Sequence, residues 1–574
     1  MAALSLAAAG FLWLRPERTG ALTGGPFEIQ IVRPPGTTFF RSVEGLSLAL
    51  SPDGSRLAFI ARGPTGTQIW VRSLTALDAK PVPGTERASS VFWSPDGQSL
   101  AWFASGVLKK LDAASGIAVQ LCTLKPDVGY AGTWSATGQI LFAAIDGDSI
   151  QSVSDTGGAI STVVKADRAR REVLLKFPWF LPGGERFLYL ARLDDGTNRL
   201  MIGAQGRPSV ELGPIDSNAQ YVEPSSLVFV TEGTLVTQGV DLAAGRLVGA
   251  PAPVADSVSF FLSTGVAAFA TASDGTLVYK PQRDRARLVK IDRTGKEIDV
   301  LGTPGDYYEV RLAANGRLAM LTRALPATGT YDIWSLDLDR GTETRVTQND
   351  RGTEIAPLLM PDRRTLIYSG TLLGSAPQIL RRNLDTGADV ELLQRGRFRE
   401  AFDVTPNGTS LIYGERSDAG GQLWMWPLAG TSPPARLQAS GSSAYEARLS
   451  PDGGYYTFSS SESGREEVYV APLAGGSKQP VSVGGGSKAR WSQNGGEILY
   501  LSADARVVSV PVRRSATLQL GKPESLFAVT GKGWIDFDVP PDGKWMLAAV
   551  RDIAAAEEPL TARLRGITNQ MTKR

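Results

Sequence analysis

The chain has 574 residues, with 60 Lys and Arg against 58 Asp and Glu, 63 Gly, 35 Pro and no histidine. That length exceeds what one hydrophobic core supports, so at least two domains are expected, and a formal charge of +2 gives no sign of a nucleic-acid or anionic-membrane partner. Without histidine, Ser-His-Asp and Cys-His nucleophile systems, imidazole bases and His-containing zinc sites are excluded.

At the start, residues 2–14 (AALSLAAAGFLWL) are uncharged and mostly apolar, and they stop at Arg15-Pro16-Glu17-Arg18. A spanning helix needs about twenty residues, and a secretory signal carries a basic start and a small-residue cleavage site. Neither description is met in full. Residues 1–25 read as a truncated membrane helix whose beginning lies upstream of Met1, or as a short anchor or leader, followed by a Gly- and Thr-rich linker from Thr19.

From there one signature recurs. Clear copies are ALSPDGSRLAFIA at Ala49, FWSPDGQSLAWFA at Phe92, ARLSPDGGYYTFSS at Ala447 and DVPPDGKWMLAAV at Asp538. Weaker copies keep the same frame, and the Asp-like slot recurs every 41 to 48 residues except for one gap of 91, which conceals a degenerate copy at Tyr221. Twelve copies result, with the period of a four-stranded propeller blade.

Three residues before the slot stands a large apolar group, as in Leu50, Trp93, Trp134, Phe180, Leu312, Leu449, Trp491 and Val539. After the turn, apolar residues alternate, as in Leu57 with Phe59, Leu411 with Tyr413 and Ile498 with Tyr500. Period two marks a pleated strand with one face buried. Pro, Asp or Asn, and Gly between them make a hairpin turn. Third and fourth strands follow in segments such as RLVKIDRTGKEIDVL from Arg287 and QILRRNLDTGADVELL from Gln378. The class is all-β: two consecutive β-propellers of six four-stranded blades each.

These SPDG turns resemble the WD-repeat-like propeller repeats of the TolB type, over roughly residues 27–569. The segments GTERASSVFWSPDGQSLAWF and GREEVYVAPLAGGSKQPVSVGGGSKARWSQNGGEILYL also resemble the extracytoplasmic propeller region of bacterial receptor-type serine/threonine protein kinases. The kinase domain itself has no counterpart here: there is no Gly-rich phosphate loop, and a catalytic loop with histidine is impossible. The resemblance implies a six-plus-six division, a first propeller over 26–303 and a second over 304–574. FEIQIV from Phe27 and TARLRGI from Thr561 are candidate closing strands.

Among individual residues, Asp53, Asp96, Asp274, Asp362, Asp452 and Asp542 read as blade-turn residues, because one role repeated around a ring cannot converge on one substrate. Trp93, Trp134 and Trp491 read as wedges between blades. Trp424, Trp426, Tyr307 and Tyr308 are the candidate exposed contact aromatics. Cys122, the single cysteine, lies in the apolar run VQLCTL and reads as a buried small hydrophobe. No catalytic, cofactor or metal residues are expected.

The expected function is a non-catalytic extracytoplasmic module that binds a protein, peptide or cell-envelope ligand at its mouth loops, as sensor or scaffold of a membrane signalling protein tethered through residues 2–14. Two alternatives stand beside it: a lyase- or glycosidase-type propeller enzyme with carboxylates in a central channel, and a soluble periplasmic TolB-like envelope component.

Overall fold

Each hairpin begins at its turn. In the first, Asp53 accepts from the Ser55 amide at 3.1 Å and from Ser51 Oγ, while Gly54 takes φ +71°, a value glycine adopts without strain. The strands leading into and out of such turns pair antiparallel, and the polar segments that follow carry the chain to two further strands.

The structure is a computed structural model that describes residues 27–40, 47–63, 66–111, 116–125, 129–256, 258–262, 264–281, 286–325, 330–349, 352–370, 378–392, 399–417, 420–429, 432–437, 443–514, 517–529, 532–552 and 559–564. The N-terminal segment expected as a membrane helix or anchor with its linker, 1–25, lies outside the described residues. Among those described, the only helical element is one 3-10 turn, Arg168–Arg170, and no helix is long and apolar enough to cross a membrane.

The described residues form two units. In the first, six blade sheets follow one another, five of them built from consecutive strands, and Phe260–Phe261 with Val266–Ala267 form a further two-stranded sheet. The degenerate copy at Tyr221 makes a complete sheet from Gln220–Val222, Ser226–Thr231, Thr234–Asp241 and Arg246–Ala255. The sixth sheet is composite: Phe269–Thr271 and Leu277–Tyr279 are completed by Leu560–Leu564 and then Phe27–Ile31. Both candidate closing strands thus lie side by side in one blade.

The second unit has six sheets of its own, and its closure corrects the expected boundaries. Ala286–Asp292 and Glu297–Gly305, read from sequence as the end of the first propeller, pair instead with Trp545–Asp552 and Lys532–Asp538. The second propeller therefore starts before residue 304 and ends before 574. It is inserted into the sixth blade of the first, between that blade's second and third strands. The physical reason is edge closure: Trp545–Asp552 needs an antiparallel neighbour, and Ala286–Asp292 supplies seven paired positions, from Ala286 opposite Arg551 to Asp292 opposite Trp545.

In the second unit the innermost strands close a ring. Tyr307–Leu312, Glu354–Leu359, Arg399–Val404, Ala444–Leu449, Gly486–Trp491 and Lys532–Asp538 each lie against the next, and the last lies against the first. Core clusters fill the wedges between successive sheets. In the first unit, for example, Ala58, Ile60, Ile69 and Val71 of one sheet pack on Val91, Trp93, Leu100 and Trp102 of the next. Each fully buried aromatic or branched side chain contributes about 1.5–3 kcal/mol of transfer free energy. Trp93 and Trp491 also donate Nε1 to a main-chain carbonyl of the preceding blade, Ala49 O at 3.1 Å and Arg448 O at 3.2 Å.

Candidate functional site

The second propeller carries its chemistry on its axis. All six inner strands break register at the same place, for instance between Tyr445 and Arg448, between Ser487 and Arg490, and between Trp534 and Asp536. Glu446 and Lys488 take φ +55° there. A β-bulge re-aims side chains. Five of the six strands bring charged groups to it: Glu309 and Arg311, Glu400 and Asp403, Glu446 and Arg448, Lys488 and Arg490, Asp536 and Asp538.

These groups meet across the ring. Arg448, on the fourth inner strand, places Nη2 3.5 Å from Glu309 Oε1 on the first, which stands opposite. Arg311 binds Glu309 Oε1 through Nε at 3.1 Å and the carbonyl of Phe402 through Nη2 at 2.5 Å. Arg490 donates Nη2 to Asp536 Oδ1 at 2.6 Å and Nε to Phe537 O at 2.8 Å. Lys488 Nζ lies 3.4 Å from Glu446 Oε1 and 3.9 Å from Asp536 Oδ1. Several carboxylates also tie strand to strand. Asp536 accepts from Val310 N, Asp538 from Leu312 N, Asp403 from Leu449 N and Glu446 from Lys488 N.

Ionisation follows from this crowding. Burial, with the charges of Glu309 and Glu446 added, pushes the Glu400 carboxyl up to about 7. For Glu446 burial acts in the same direction, but Lys488 and Arg490 outweigh it and hold the carboxyl below its ordinary value. Burial and the neighbouring Arg311 and Arg490 bring Arg448 down to about 10. Burial opposes the charge on Lys488, yet Glu446 and Asp536 raise it. Among the described residues, no group of three or more His, Cys, Asp or Glu could hold a metal ion.

The first unit lacks this pattern. One residue before the apolar slot it has Ala49, Phe92, Thr133 and Trp179, where the second has Arg311, Asp403, Arg448, Arg490 and Asp538. The charged positions were therefore present in the repeat frame, but strict alternation assigns them to a solvent face. The bulge turns them inward.

Of the residues singled out from sequence, the turn aspartates are all exposed and accept main-chain amides: Asp96 from Gln98 N, Asp274 from Thr276 N, Asp362 from Arg364 N, Asp452 from Gly454 N and Asp542 from Lys544 N. None joins the axial cluster. Tyr307 corrects the expectation of an exposed aromatic: it is 1% exposed, with its hydroxyl on Glu343 Oε1 at 2.8 Å, because the bulge after it turns it into the core. Tyr308 is 47% exposed and lies against Tyr331, ring centroids 5.5 Å apart. Trp424 and Trp426, two residues apart on one strand, share a face, and both are half-buried against the cluster of Leu411 and Tyr413. Cys122 is buried, and burial raises its thiol pKa.

No protein-family model matches the chain, and no curated protein matches it. Among solved structures, a TolB-type protein from Agrobacterium tumefaciens is similar at 16% identity, covering 47% of this chain and 98% of that one, with a TM-score of 0.36. TolB from Acinetobacter baumannii is similar at 16% identity over 58% of this chain and 79% of that one, TM-score 0.33. The tricorn protease is similar at 12% identity over 84% of this chain and 62% of that one, TM-score 0.31.

Proposed function

We propose that the chain is a non-catalytic binding module working outside the cytoplasm, the sensor or scaffold part of a membrane signalling protein, and that its ligand engages the charged axis of the second propeller. One observation carries this reading: charged side chains from five of six inner strands converge at positions where the first unit has the uncharged Ala49, Phe92, Thr133 and Trp179. Buried charge is costly unless paired, and its concentration at the bulge of five inner strands of one unit favours a site over a fold requirement. The resemblance of the blade sequences to kinase-linked receptor propellers supports the sensor role.

The test has two arms. Thermal-shift screening of the full chain against cell-envelope peptides and glycan fragments should find a stabilising ligand whose effect is lost in Glu446→Gln, and fractionation of the tagged protein should place it in the envelope. Recovery in the cytosol, or no ligand among those fragments, overturns the reading.

A second reading is favoured by the divergence of Glu400 and Glu446, one carboxyl raised to about 7 and the other held low, which is the arrangement of an acid and base pair in a lyase or glycosidase. Turnover of glycans or lactones that disappears in Glu400→Gln would establish it in place of the binding role.

A further inference from the structure

We propose that the axis of the second propeller receives one organic cation, an ammonium or guanidinium group, held by Glu400, Glu309 and Glu446 with Tyr308 as the ring it lies against. This rests on the binding reading above and names the chemistry of its ligand.

The charge on the axis is unbalanced. Six carboxylates (Glu309, Glu400, Asp403, Glu446, Asp536 and Asp538) face four cations (Arg311, Arg448, Lys488 and Arg490), and every cation is already engaged: Arg311 and Arg448 on Glu309, Lys488 on Glu446, Arg490 on Asp536. Glu400 engages none; its side chain has no hydrogen bond or ion pair among the described residues. It is nonetheless partly open to solvent.

A second observation points the same way. Glu309 is buried, at 8% exposure, and its Oε2 has no hydrogen-bond partner among the described residues. A buried carboxylate oxygen without a donor costs on the order of 1–3 kcal/mol, and a ligand N–H placed among these acids would satisfy it. Tyr308 directly precedes Glu309 on the first inner strand, and the charge of Glu309 helps to raise both the Glu400 carboxyl and the Tyr308 hydroxyl. Tyr308 feels Glu400 most strongly, then burial, then Glu309, with Tyr331 and Glu446 behind. A tyrosine ring beside carboxylates is the pairing that takes up an ammonium or guanidinium group. A hard divalent ion fits less well: it wants six to eight oxygens, and Glu309 Oε1 and the carboxylates of Asp403, Asp536 and Asp538 are already committed to Arg or main-chain donors.

The cation could arrive as a free diamine or on a lysine or arginine side chain, and the assay separates these. The full chain is titrated calorimetrically with putrescine, with an acetylated and amidated Gly-Lys-Gly peptide, and with its Gly-Arg-Gly counterpart, near pH 7 in buffers of different ionisation enthalpy. At least one probe should bind. Because Glu400 is half-protonated in the free state near pH 7, binding should release protons, seen as a heat that varies with the buffer. Glu400→Gln should weaken binding at least tenfold and abolish the proton release without lowering the thermal midpoint; should that variant fail to fold, Tyr308→Ala should weaken binding at least tenfold while the proton release of Glu400 persists. No binding by any of the three at millimolar concentration, unchanged affinity in the variants, or preferential uptake of calcium overturns the proposal. If these cations fail while an envelope fragment still binds and is lost in Glu446→Gln, only this proposal falls; if nothing binds, both do.

Discussion

Arg448 and Glu309 belong to inner strands on opposite sides of the second propeller, yet Nη2 of one lies 3.5 Å from Oε1 of the other. Both side chains are about nine-tenths buried, so the pair is shielded from the screening that weakens surface ion pairs. Removing one member leaves a buried charge uncompensated, which costs about 3–5 kcal/mol. Arg448→Met should lose about 3 kcal/mol, the lower end of that range, because Arg311 still pairs with Glu309. In urea denaturation the double variant with Glu309→Gln should recover part of the loss.

The tryptophan wedges make a sharper test of blade-to-blade bonding. Trp93→Phe and Trp491→Phe keep most of the buried ring and delete the Nε1 donor to the preceding blade. Each should cost about 1–2 kcal/mol by denaturant midpoint, with no change in the far-ultraviolet spectrum. A loss below a few tenths would show that the rings alone hold the wedge.

Stability should fall with rising pH through a different pair. Glu354, 3% exposed, is pushed up to about 9 by burial and then by its hydrogen bond to the fully buried Asp332; Asn349 Nδ2 donates to it at 2.7 Å and Asp389 adds negative charge, while Arg345 binds Asp332. The folded chain thus keeps a proton that the unfolded chain releases above its ordinary carboxyl pKa. The stabilisation is complete below that value and is lost progressively up to about 9. Denaturant midpoints between pH 5 and 8 should decline more steeply in the parent chain than in Glu354→Gln, and parallel slopes would refute the assignment.

Two turn glycines separate space from backbone strain. Gly316 has φ +64° and an added Cβ would sit 2.7 Å from Pro541 Cδ, a ring that cannot swing aside. Gly408 has φ +71°, but its nearest neighbour would be the flexible end of Met360 at 3.3 Å. Gly408→Ala should cost about 1 kcal/mol from the left-handed backbone alone, and Gly316→Ala clearly more. Equal losses in thermal unfolding would mean the turn of Pro541 yields.

The repeat frame is readable because each blade concentrates its recurring chemistry on one turn and one apolar slot. Leu50, Trp93, Leu449 and Trp491 stand where the spacing puts them, and all four are buried. What the spacing misassigned is instructive. Ala286–Asp292 with Glu297–Gly305 looks the same whether it finishes one propeller or opens the next, since a hairpin carries no mark of the sheet edge it will meet. Arg311, Asp403, Arg448, Arg490 and Asp538 alternate with apolar neighbours as an exposed strand face would, and only the shared bulge aims them at the axis. The same bulge buries Tyr307.

The composite sixth blade imposes an order of events on a chain synthesised from its N-terminus. Residues 286–552 contain every strand of their own ring, so that ring can be finished as soon as it emerges. The earlier-made propeller must wait, with Leu277–Tyr279 and Phe27–Ile31 unjoined, until Leu560–Leu564 slides between them. The part translated first is therefore the part sealed last, and its open blade stays exposed to mispairing throughout translation of the insert.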